Sequence, residues 1–136
     1  MGDTLLETEQ RADAGGGAEI AARALGILLE EHKGNGVIVM DMRPMNTWTD
    51  FFVIAGVTSA THLEGLERHI KEFVSEHELE IIRRSPKPSS PGEEWRIIDM
   101  GAIVVHLMSA KSRSFYELER LYSPPLAQVV YAGTSA

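Results

Sequence analysis

The chain has 136 residues, enough for one domain with a real core, and its 43% hydrophobic and 24% charged content is that of a globular protein. It has no cysteine, which excludes a disulfide framework, a thiolate nucleophile and a cysteine zinc site, and fits a reducing compartment. A formal charge of −7 disfavours nucleic acid as a direct partner and suits a basic protein partner, and no apolar run reaches the length of a membrane span.

Residues 1–17 are acidic and lack both a signal peptide's apolar stretch and a transit peptide's arginines, so a cytoplasmic location is expected. They read as a flexible leader, because Gly15-Gly16-Gly17 stops a helix. From Glu19 the pattern changes: Ile20, Ala24 and Leu28 recur at four-residue steps with Leu25 and Leu29 beside them. This predicts a helix that Gly34-Asn35-Gly36 ends. VIVMDM (37–42) and FFVIAGV (51–57) predict two strands, joined by a turn-like link that holds Trp48. A second helix is expected from about Ser59 to His77. Thr61 with Glu64 has capping-box spacing, and Ser59 is the alternative cap. Its buried face is Leu63, Leu66, Ile70, Phe73 and Val74, and its exposed pairs are Glu64–Arg68 and Glu67–Lys71.

ELEIIRR (78–84) predicts a third strand, and the three prolines between Pro86 and Gly92 an extended loop. EEWRIIDMGAIVVHLM (93–108) reads as a hairpin with two possible registers. A two-residue turn sets Trp95 opposite His106; a three-residue loop with Gly101 left-handed sets it opposite Val105. In both, Asp99 sits at the turn, where its carboxylate accepts from nearby backbone N–H groups. A short third helix follows, with Ser114 and Glu117 at capping-box spacing. Phe115, Leu118 and Leu121 form its buried side, and Pro124-Pro125 prevents its continuation. The fold class is α/β (α+β): one domain with a mixed central sheet of about five strands flanked by helices, IVVHLM being an interior strand. The expected limits are a leader over 1–17, a folded domain over 18–123 and a tail over 124–136.

Three kinds of chemistry are tested by spacing. His62, His69 and His77 stand seven and eight apart on one helix, roughly 10–12 Å between neighbours along the axis, too far to share an ion. Gly56-Val57-Thr58-Ser59 between a strand and a helix has the form of a phosphate-cradling turn. No Asp-x-Asp pair follows to hold a divalent metal, and Asp41 and Asp50 are isolated. Asp99 and His106 have no serine or threonine placed by spacing as their nucleophile. Exposed aromatics remain: Trp95 opens a strand after a polar loop, and Tyr116 falls outward if Phe115 is core. Arg96, Arg113 and Arg120 are nearby, a composition suited to a binding hot spot.

VIVMDM, TDFFVIAGVTSATHLEGL and EEWRIIDMGAIVVHLMSAKSRSFYELERLYS, in that order and spacing, resemble the Iojap family, known in bacteria as ribosomal silencing factor. The likeness covers about residues 19–123. It implies a nucleotidyltransferase-like fold without the catalytic residues, and a translation repressor that is not an enzyme and needs no cofactor or metal. Such a factor binds the large ribosomal subunit through large-subunit protein fourteen and blocks joining of the small subunit, notably in starvation. It is a homodimer when free, with no direct sequence-specific nucleic acid and no membrane as partner. The resemblance assigns Trp95, Asp99, His106 and Tyr116 to the partner-facing surface, and Asp50, Thr58 and Ser59 to recurrent motif positions. Two positions depart from the family pattern: Ala102 stands for a second acid at the hairpin, and Thr61 for an arginine before the second helix. The alternative is a degenerate nucleotidyltransferase-fold enzyme that binds nucleotide at residues 56–61.

Overall fold

The computed structural model of the chain describes residues 2–45, 48–85, 91–118 and 128–134, with side chains from Gly17 onward. In chain order the elements are α1 (Gly2–Glu31), β1 (Asn35–Asp41), β2 (Phe51–Val57), α2 (Ala60–Glu76), β3 (Arg83–Arg84), β4 (Trp95–Asp99), β5 (Ile103–Ser109), α3 (Ala110–Tyr116) and β6 (Gln128–Ala132). Among the described residues the six strands form one mixed sheet, in the order β3-β4-β5-β2-β1-β6. The α+β architecture agrees with the sequence, with one strand more than expected.

The two most continuously apolar runs lie at its centre. β2 and β5 are buried at every residue and run parallel, Phe51 beside Ile103 and Val57 beside Ser109. A parallel pair cannot be closed by a tight turn, so the chain crosses over through α2 and two strands before returning as β5. The side chains then alternate between two cores. On one face Val37, Val39, Phe51, Val53, Val105 and Leu107 meet α1 and α2; on the other Met40, Phe52, Ile54, Val104 and Met108 meet Leu118, Trp95 and Ile97.

α2 carries the face that its period predicts, with Leu63, Leu66, Ile70, Phe73 and Val74 buried. Ser59 is its cap, accepting from the His62 N–H at 3.0 Å. Contrary to the stop expected at Gly15–Gly17, α1 begins at Gly2 and runs through the three glycines. Each glycine costs a helix about 1 kcal/mol relative to alanine, a local penalty that sets no boundary here. Among the described side chains of α1, Ala18 is the first packed against the core, the fully buried stripe is Ala22, Leu25 and Leu29, and Ile20 is exposed. Gly26 lets the helix approach closely: a Cβ there would lie 2.8 Å from Val39 and 3.1 Å from Tyr131.

The expected tail instead supplies β6, which pairs antiparallel with β1. The Tyr131 hydroxyl donates to Glu30 of α1 at 2.8 Å, and the Thr134 N–H donates to the same carboxylate. The expected third strand shrinks to Arg83–Arg84, and Leu121 and Pro124-Pro125 lie outside the described residues.

The hairpin adopts neither expected register. Trp95 pairs with Met108, Ile97 with His106 and Asp99 with Val104. Residues 100–103 close the turn, and the Met100 N–H donates to Ile103 O at 2.8 Å. The turn residues are Gly101 and Ala102, one step beyond the expected Met100-Gly101, and the Asp50 and Phe51 N–H groups hold Ala102 O. Gly101 takes φ +87°, a value that L side chains avoid.

Glu67 also departs from expectation. It is 3% exposed, and rather than pairing with Lys71 on the surface it accepts from two strands. Arg96 Nη1, itself buried, donates to it at 2.8 Å, and Arg84 donates through Nε and Nη2. Burial pushes the Glu67 carboxyl up, but the Arg84 hydrogen bonds and the Arg96 charge outweigh it and hold the group below its usual range. This cluster ties α2 to β3 and β4. Removing the carboxylate leaves Arg96 buried without its counter-charge, so Glu67→Ala is expected to lower the unfolding free energy by about 3–5 kcal/mol in urea denaturation. A Lys71→Ala variant, expected to change stability by less than about 1 kcal/mol, is the matched surface control.

Candidate functional site

The residues singled out from the sequence divide between the two ends of the sheet. Trp95 opens β4 and Asp99 closes it, so four residues, roughly 13 Å of strand, separate them. At the Asp99 end everything serves the hairpin loop. One Asp99 oxygen accepts from the Gly101 N–H at 2.8 Å, as the turn reading predicts, and the other accepts from Arg83 at 3.0 Å. The Thr49 hydroxyl donates to Gly101 O at 2.9 Å, and the backbone N–H groups of Asp50 and Phe51 both donate to Ala102 O. Asp99 is 5% exposed and holds the turn; Asp50 contributes backbone bonds at the start of β2.

At the opposite end lie Trp95, Tyr116, Thr58 and Ser59, with His106 at mid-strand between the two ends. Trp95 and His106 share a face because their register positions, opposite Met108 and Ile97, are diagonal neighbours. The indole N–H of Trp95 donates to His106 Nδ1 at 3.1 Å. That bond places the imidazole proton on Nε2, which has no partner among the described residues. His106 also meets the edge of Phe52, ring centroids 4.7 Å apart. Burial drives its pKa from 6.5 down to about 4, so the ring is neutral at physiological pH.

α3 then turns this end into a surface. Ser109, not Ser114, is its cap, accepting from the Ser112 N–H at 3.1 Å, and the helix ends as Glu117 takes a left-handed conformation. Starting earlier than expected, α3 puts Phe115 and Tyr116 in its last turn. Phe115 is 79% exposed instead of core, and Tyr116 is exposed beside it, while Leu118 is buried as expected. Tyr116 lies 4.4 Å from the Trp95 ring and 4.9 Å from Phe115. The three rings line an open groove of about 320 Å³ together with Glu93, Lys111 and Ser112. Phe115, Glu93 and Lys111 were missed by pattern reading; the available signal was Ser109, which as cap would have rotated the helix face.

Thr58 and Ser59 are occupied in starting α2. The Thr58 N–H donates to His62 Nδ1 at 3.0 Å, and Ser59 caps the helix. Thr61 and Ala102 are exposed. The Asp41 carboxylate takes both Arg43 Nε and Nη2, and those hydrogen bonds hold its pKa below the usual range. His32 and His69 stack at 3.6 Å, and no group of three His, Asp or Glu among the described residues is arranged to hold a metal ion. Likewise, no helix among them is long and apolar enough to cross a membrane.

Residues 17–132, which take in β6, match the family described as ribosomal silencing factor during starvation. A ribosomal silencing factor of Treponema pallidum is 37% identical over 102 residues, 75% of this chain and 89% of the relative. A mouse protein named for mitochondrial assembly of the ribosomal large subunit is 27% identical over 79% of this chain but only 47% of its own length. A crystal structure of a Chromobacterium violaceum protein superposes with a TM-score of 0.65 at 24% identity, covering 80% of this chain and 88% of that one, and shares the fold.

The His106 arrangement has a pH signature. A histidine whose folded pKa lies below its unfolded value contributes stability that is fully present above about 6.5 and is lost as pH falls toward about 4. Across that window the chain is expected to lose roughly 3 kcal/mol of unfolding free energy from this one group. His106→Phe, measured by denaturation at each pH, is expected to remove most of that slope. Protonation also turns the Nδ1 acceptor into a second donor facing the Trp95 N–H, so Trp95 fluorescence is expected to change over the same interval.

Proposed function

The chain belongs to the ribosomal silencing factor family, whose role is ribosome-associated regulation of translation, and on that premise we propose that it docks on the large ribosomal subunit and sterically keeps the small subunit away. The docking partner is large-subunit protein fourteen, and the docking surface is the groove end of the sheet. Trp95 and Tyr116 are its anchors, and His106 is the positioning residue that fixes the indole from below. The observation that carries this reading is the aromatic contact of Trp95 with exposed Tyr116, backed by the part-buried Trp95–His106 hydrogen bond. Aromatics held rigidly at a surface lose little conformational freedom on binding, which is what an interface anchor requires. A net charge of −7 against a basic ribosomal protein raises the association rate more than the final affinity. Asp99 and Asp50 act at one remove, by shaping the hairpin loop at the far end. The factor works in the cytoplasm, is a homodimer when free, and performs no catalysis.

A second reading has one observation behind it. An open cavity of about 710 Å³ lies where parallel β2 and β5 end, lined in part by Gly56, Val57, Thr58, Ser109 and Arg113. Ligands of α/β proteins bind at the carboxyl ends of parallel strands. Against a nucleotide there, the Thr58 N–H and the Ser59 hydroxyl are already bonded within the chain. Calorimetric titration with ATP and Mg²⁺ separates the readings: tight, metal-dependent binding favours the nucleotide.

Co-sedimentation with separated ribosomal subunits tests the docking proposal. The chain is expected to pellet with large subunits alone, Tyr116→Ala to lose at least tenfold in affinity with its thermal unfolding little changed, and Trp95→Glu to lose binding while also lowering stability through the lost His106 bond. Normal pelleting of both variants would mean that the surface is wrong.

A further inference from the structure

The groove beside α3 has a composition that specifies what enters it. Three of its walls are aromatic: Trp95, Phe115 and Tyr116. The indole N–H points inward to His106, so this ring has no polar atom left to offer a ligand. The charged groups at the rim are Glu93 and Lys111, joined at 2.9 Å with side chains about half and three-quarters exposed. Aromatic faces attract cations, and a carboxylate at their edge adds a charge-assisted hydrogen bond.

We propose that this groove is a receptor for an arginine side chain of the protein partner, its guanidinium stacking on Phe115 beside Tyr116 while Glu93 exchanges Lys111 for it. The proposal rests on the docking reading and names the chemistry by which that site recognises its partner. Three features favour a guanidinium over an apolar side chain or an ammonium. The chain is acidic as a whole, so a basic partner is drawn to it. An apolar insert would make no use of Glu93. A planar fork can stack on a ring and bond a carboxylate in the same pose, whereas an ammonium is a compact, strongly hydrated point charge. The Lys111 pair is no obstacle, because an exposed ion pair between two flexible side chains contributes little, and Lys111 can swing into solvent.

Phe115 is thereby a contact residue in its own right, and Lys111 a competitor for Glu93. This produces a pattern that a merely structural role would not. Phe115→Ala and Glu93→Gln are expected to weaken large-subunit binding about three- to thirtyfold, the range of a partly desolvated cation–π contact. Lys111→Gln is expected to tighten it. Phe115 is so exposed that its truncation leaves the thermal unfolding midpoint in place.

The test has two arms. In the first, the whole chain is titrated with N-acetyl-arginine amide and, separately, with the uncharged citrulline analogue of the same shape. The two indole N–H signals are followed by NMR. Trp95 is expected to shift with the arginine probe only, while Trp48, exposed at the other end of the sheet, serves as the internal control. In the second arm, the three variants are compared in subunit co-sedimentation. Equal shifts with both probes, or no shift with either, overturn the proposal, as does wild-type affinity for both Phe115→Ala and Glu93→Gln. If the wild-type chain does not pellet with large subunits, the docking reading fails, and the probe arm alone decides the groove.

Discussion

The parallel pairing of β2 with β5 is the constraint on which the rest of the molecule depends. It buries both strands on both faces, and it demands the long crossover that brings α2 against the sheet. On its other edge β5 pairs with β4, in the register that the Gly101-Ala102 turn closes. That register decides which side chains meet. Trp95 lands diagonal to His106, at the end where β5 runs directly into α3, and Asp99 lands at the other end beside the loop that starts β2. A shift of one residue along β4 would send Trp95 to the face occupied by α2 and would leave Arg96 away from Glu67.

Polar groups inside this framework hold elements together. Glu67 bridges Arg84 and Arg96, Asp41 is clamped by Arg43, and Asp99 is shared between Gly101 and Arg83. His106 is neutral and spends its acceptor on an indole N–H. At the end where α3 stops, Phe115 and Tyr116 are exposed, and the proposed docking rests on them and on Trp95.

Elements whose signal is local were legible in the sequence. The apolar runs of β2 and β5, the buried face of α2, and the Asp99 turn follow from period and composition over a few residues. Features set by distant partners were not. β6 is a five-residue strand whose anchor, Tyr131 on Glu30, joins positions 101 apart. Glu67 has a plausible partner four residues along its own helix, yet its actual partners come from two strands folded over it. Phe115 was misread because two serines compete as cap for one short helix, and the choice rotates the face by several residues. Trp95, His106 and Tyr116 come together as the sequence grouped them, but Asp99, grouped with them, lies at the other end of β4. The Trp95–His106 bond forms in a register that neither expected turn gives.

The central claim is exclusion, not contact alone. Its most direct test is subunit joining: separated large and small subunits are mixed under associating conditions with increasing amounts of the chain, and joined ribosomes are followed by light scattering and on sucrose gradients. The account predicts that joining falls in proportion to the large subunits occupied, and that Trp95→Glu leaves it intact. Full joining in the presence of large subunits saturated with the wild-type chain would contradict the account.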